Sequence, residues 1–65
     1  MAHYMFFTDS PEKLIHEGEF ETNQDAWNKG SFLFGQLESH FTHVAIHNTK
    51  TGLAWKVTEQ GIKQI

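Results

Sequence analysis

The chain changes its hydrophobic period twice, and this constrains its fold more than any other feature. From residue 22 onward the positions Ala26, Trp27, Gly30, Leu33, Phe34 and Leu37 recur at three- and four-residue steps, while Asn23, Gln24, Lys29, Gln36 and Glu38 fall largely on the other side. That is the stripe of an amphipathic helix. Thr22, followed three residues later by Asp25, supplies a capping pair for its first turn. Gly30 sits on the apolar stripe. A glycine in a helix interior costs about 1 kcal/mol relative to alanine, so its presence there points to a close approach of the helix to whatever it covers. Phe32 lies off the stripe and is a candidate contact residue, and Gly35 is a second weak point of the helix.

On both sides of the helix the period falls to two, the signature of strands. Residues 3–7 form a short aromatic-rich run stopped by Thr8-Asp9-Ser10-Pro11, a strand followed by a turn. Residues 11–17 admit two readings. Ser10 as a cap, Pro11 at the first position and Gly18 just past the end suit a helical turn. Leu14, His16, Gly18 and Phe20 alternating against Ile15, Glu17, Glu19 and Glu21 suit a strand. The glutamate alternation favours the strand, and its polar side marks it as an edge.

From Phe41 onward Thr42, Val44 and Ile46 alternate with His43, Ala45 and His47. The segment Asn48-Thr49-Lys50-Thr51-Gly52 reads as a turn closed by a glycine in the left-handed region. Leu53, Trp55 and Val57 return opposite Ala54, Lys56 and Thr58, and Glu59-Gln60-Gly61 turns the chain into a short final strand at residues 62–65.

These segments predict an α+β fold: a small antiparallel sheet of four or five strands in the order β-β-α-β-β, covered on one face by a single helix. The 65 residues make one domain near the lower size limit for a single hydrophobic core. The absence of cysteine excludes disulfides and thiolate metal sites. The remaining ways to add stability are oligomerisation, a partner, or a metal held by histidine and carboxylate. Trp27 and Trp55 are expected to pack together in the core. One helix cannot cover both faces of the sheet, yet Tyr4, Met5, Phe6 and Phe7 are apolar on both sides of their strand. Either Tyr4 and Phe6 or Met5 and Phe7 must therefore face outward, and an outward apolar patch commonly marks an interface.

That apolar tetrad is also the longest early apolar run, so no signal peptide or membrane span is expected, and a cytoplasmic location is the default. The formal charge is −3 and there is no arginine, the preferred fork for phosphate and guanine, which argues against direct nucleic-acid binding. Charge is uneven: residues 1–25 carry a net −5 and residues 26–65 a net +2. This permits head-to-tail self-association or steering toward a basic partner.

No residue pattern carries a catalytic motif, and the chain is read as a non-enzyme without a cofactor. Glu17, Glu19 and Glu21 form a solvated row rather than a pair of carboxyls in unlike surroundings. Ser10, Ser31 and Ser39 lack the glycine-flanked elbow of a serine nucleophile. His40, His43 and His47 have a suggestive spacing. On a strand, however, residues 43 and 47 stand about 13 Å apart, too far to share an ion. Only His3 or His16 from a neighbouring strand would complete a metal or small-ligand site, which is the alternative reading.

The expected function is that of a small non-catalytic protein-binding module. Its surface is expected to comprise His43, Ala45, His47, Ala54 and Lys56 beside Met5 and Phe7, with Phe32 as a further contact. A homodimer with its helices outside is the first use to expect of that face. Small, acidic, cysteine-free chains of this layout occur among phage and mobile-element accessory proteins that inhibit host complexes by blocking surfaces. The layout is loosely similar to that of some small anti-CRISPR proteins.

Overall fold

The alternating segments pair into one antiparallel sheet made of β1 (Ala2–Asp9), β2 (Glu12–Phe20), β3 (Val44–Asn48), β4 (Ala54–Thr58) and β5 (Gly61–Gln64), with α1 (Asn23–Leu37) between β2 and β3. The structure is a computed structural model and describes residues 1–9, 12–37 and 43–65. Ser10, Pro11, Glu38, Ser39, His40, Phe41 and Thr42 lie outside the described residues. The α+β architecture is as expected, the fifth strand forms, and residues 12–20 are strand rather than a helical turn.

The spatial order is β2-β1-β3-β4-β5, so the N-terminal strand is interior and the glutamate-bearing strand is an edge. β2 and β3 both run antiparallel to β1 and hence in the same direction as each other. The chain must therefore return along the length of the sheet between them. The 15 residues of α1 span roughly 22 Å and make that return across one face. Thr22 Oγ1 accepts the Asp25 N–H at 3.1 Å and caps the start.

The core lies between α1 and the sheet. Tyr4 and Phe6 of β1, Val44 and Ile46 of β3, Trp55 and Val57 of β4, and Ala26 and Phe34 of α1 are buried, with Ile15, Phe20, Trp27, Leu33 and Ile62 packed around them. Phe20 meets Tyr4 and Phe6 edge-on at 5.7 and 5.8 Å, and Trp27 meets Trp55 edge-on at 5.5 Å, the favoured arrangement of aromatic quadrupoles. The Trp27 Nε1 group is buried without a hydrogen-bond partner. At Gly30 α1 lies close against the sheet: a Cβ there would stand 2.5 Å from Ile46 Cδ1.

Two features absent from the hydrophobic pattern complete the fold. One is a polar cluster at the start of α1. Tyr4 donates its hydroxyl to Asn23 Oδ1, and Asn48 Nδ2 donates to the Tyr4 oxygen at 3.1 Å and to Asn23 Oδ1 at 3.3 Å. Asn48 Oδ1 accepts the N–H groups of Lys50 and Thr51 at 2.9 and 3.2 Å. One buried asparagine thus fastens β1, the first turn of α1 and the β3–β4 turn, which Gly52 closes at φ +80° as its sequence requires.

The other feature is a β-bulge. Phe6 pairs with His16 but Phe7 pairs with Leu14, so Ile15 is the extra residue. Strict alternation grouped Leu14 with His16 and set Ile15 among the glutamates. The bulge reverses these two: Ile15 packs against the core and Leu14 shares a face with Phe7.

Candidate interaction face on the open side of the sheet

Because Tyr4 and Phe6 are taken by the core, Met5 and Phe7 point to the face that α1 does not cover. The strand register arranges that face in rows. Leu14, Phe7, Ala45, Lys56 and Lys63 lie level across the sheet, and Glu17, Met5, His47 and Ala54 form the next row. His3 and Glu19 begin a third. Successive rows are about 7 Å apart along the strands.

Among the residues expected at the surface, the structure brings Met5, Phe7, Ala45, His47, Ala54 and Lys56 together. The first five are half-buried by their neighbours and Lys56 is exposed. The His47 ring stands edge-on to Phe7 at 5.1 Å. His3 Nε2 lies 3.1 Å from Glu17 Oε1 with both side chains about half exposed, a contact of small energetic weight. His43 is half-buried and precedes β3.

Phe32 is not part of this surface. It is 56% exposed on α1, beneath the Lys29 ammonium 5.3 Å from its ring centroid, on the opposite side of the molecule. One helix cannot present a residue to the face it does not cover.

The histidines are likewise divided. His16 packs against Phe6 at 5.5 Å on the helix side, away from His3 and His47. Among the described residues, no group of three or more histidine, aspartate or glutamate side chains is placed to hold a metal ion.

Sequence reasoning missed Leu14, which is 37% exposed and extends the apolar strip toward the edge. The signal was the adjacent Leu14-Ile15 pair, since two apolar neighbours inside an alternating strand require either a two-faced burial or a bulge. It also missed the frame of charge. Glu17 and Glu19 stand on the β2 edge while Lys56 and Lys63 stand on β4 and the β5 edge, with the apolar strip between them. No helix among the described residues is long and apolar enough to cross a membrane. Comparison of the chain with protein-family models, curated proteins and solved structures gave no match.

Proposed function

We propose that the chain is a small non-catalytic protein-binding module that works by laying the open face of its sheet on another macromolecule. The observation that carries this reading is the outward placement of Met5 and Phe7 beside Leu14, Ala45 and Ala54, on a face the single helix leaves bare. Apolar area in water is unfavourable by about 25 cal/mol per Å², and association recovers it. The simplest assembly is a homodimer with helices outside. Blocking a surface of a larger complex, as some phage accessory proteins do, would use the same face. The proposed setting is the cytoplasm.

The test is binding by the wild-type chain and by Met5→Lys/Phe7→Lys. Partners, including further copies of the chain, are captured on immobilised protein and then titrated in purified form. Loss of binding in the double variant, with unchanged far-ultraviolet circular dichroism, is the expected result. Binding that survives the double variant overturns the reading.

A further inference from the structure

Besides its open face the sheet exposes the free edge of β2, and we infer that this edge takes an extended basic segment of another protein as an added strand. The inference goes beyond the open-face reading and does not depend on it. Of the two sheet edges, β5 has four residues and β2 has nine. Backbone groups point alternately to the two sides of an antiparallel strand. The His3 carbonyl accepts the Thr49 N–H on the β3 side, so Tyr4 and Phe6 direct their groups to β2, where they meet Gly18 and His16. The N–H and C=O groups of Glu17 and Glu19 therefore point away from the sheet, a template for one more strand.

Gly18 leaves room for that strand. Glycine weakens a strand interior, and nothing in the fold asks for one here. The bulge is at Ile15, φ at Gly18 is not positive, and an added Cβ would meet only His16 Nε2 and Phe20 Cε2, both at 3.8 Å, an ordinary contact. The missing side chain leaves a gap on the helix side of β2, bordered by the half-buried rings of His16 and Phe20, and no atom of α1 comes within 4 Å of that Cβ position. A strand that pairs with the outward groups of Glu17 and Glu19 sets its intervening residue opposite Gly18. That pair has no hydrogen bonds, and in such pairs side chains stand closest. An apolar β-branched side chain there fills the gap and covers Phe20.

The residues on either side of it stand beside Glu17 and Glu19. Both glutamates are exposed; Glu17 Oε1 lies 3.1 Å from His3 Nε2, and no lysine pairs with either among the described residues. Opposite charges on directly opposed residues of neighbouring strands stabilise, and like charges destabilise. The matching segment is therefore basic, apolar, basic: two lysines or arginines flanking an isoleucine or valine. The same rule disfavours a second copy here, because pairing the Glu17–Glu19 stretch with itself sets glutamate against glutamate.

Amide hydrogen exchange, read by NMR on the full chain with and without the end-capped peptide Thr-Thr-Lys-Ile-Lys-Thr-Thr, tests the inference. Exchange at the Glu17 and Glu19 amides is expected to slow at least about fivefold as the peptide saturates, with a Kd on the order of 100 μM. Gly18→Val fills the gap while keeping every charge and a residue suited to a strand, and should weaken binding about tenfold with unchanged far-ultraviolet circular dichroism. Glu17→Lys/Glu19→Lys should weaken it at least about tenfold, and should instead take the peptide in which both lysines are glutamate, a recovery that also shows the variant to be folded. Amides left unprotected by about 1 mM peptide overturn the inference. So does a Gly18→Val chain that binds like wild type, the mark of charge attraction without strand pairing. Protection that grows with protein concentration in the absence of peptide also overturns it and puts a second copy on the edge.

Discussion

Replacing Gly30 by alanine sets two opposed effects against each other, and the structure says which is larger. In an exposed helix interior the change is favourable by about 1 kcal/mol, because alanine loses less backbone freedom on folding. At Gly30, however, the added Cβ would stand 2.5 Å from Ile46 Cδ1, 3.1 Å from Ile46 Cγ1 and 3.4 Å from Val57 Cγ2. Ile46 is fully buried, so its methyl cannot swing into solvent. Overpacking of this kind costs about 1–3 kcal/mol, and the net expectation is a loss of about 1 kcal/mol.

Gly35 is the internal control. It lies on the same helix with nothing within 4 Å of its added Cβ, and Gly35→Ala should gain up to about 1 kcal/mol. The two variants should thus differ by about 2 kcal/mol, or roughly 10 °C in melting temperature for a domain of this size. Urea unfolding followed by the fluorescence of the Trp27–Trp55 pair reads the difference, at one fixed low protein concentration so that association does not contribute. Ile46→Val removes the obstructing methyl. Alone it should cost about 1 kcal/mol, and in the Gly30→Ala background it should cost little or nothing. A Gly30→Ala variant as stable as Gly35→Ala, or strict additivity in the Gly30/Ile46 cycle, would refute the close approach of α1 to β3.

Three further substitutions check the other parts of the structure. Asn48→Ala removes a donor to Tyr4 and Asn23, which keep only their bond to each other, and the acceptor for two part-buried turn N–H groups; urea unfolding should show a loss of about 1–3 kcal/mol. Neighbouring residues of β1 should respond oppositely to loss of their rings: Phe6→Ala, at 0% exposure, should cost about 3–5 kcal/mol and leave little folded chain, whereas Phe7→Lys on the open face should change stability by less than about 1 kcal/mol. Circular dichroism melts of the two variants distinguish these outcomes.

The sequence by itself determined the elements. Period-two and period-3.6 patterning depends only on which side chains are apolar and on backbone geometry, so α1, the β3–β4 hairpin and the turns at Gly52 and Gly61 were legible as elements, although Leu53, read as part of the returning strand, precedes β4, and Phe41 and Thr42 lie outside the described residues. It also determined that some apolar surface would be left over, because Tyr4, Met5, Phe6 and Phe7 cannot all meet a single helix. Gly30 announced a close approach without saying to what.

Tertiary structure decided the rest, because each remaining choice depends on partners distant in the chain. Burial of Tyr4 and Phe6 under α1, with the Tyr4 hydroxyl held by Asn23 and Asn48, selected which side of β1 faces outward. Placing β1 between β2 and β3 put glutamates at one edge and a lysine at the other, an arrangement invisible in linear charge counts. The bulge at Ile15 is a compromise between pairing with β1 and filling the core, and it alone moved Leu14 to the open face. Local pattern fixes which residues alternate, but only the pairing of strands fixes which of two faces each residue joins, since a one-residue slip exchanges them.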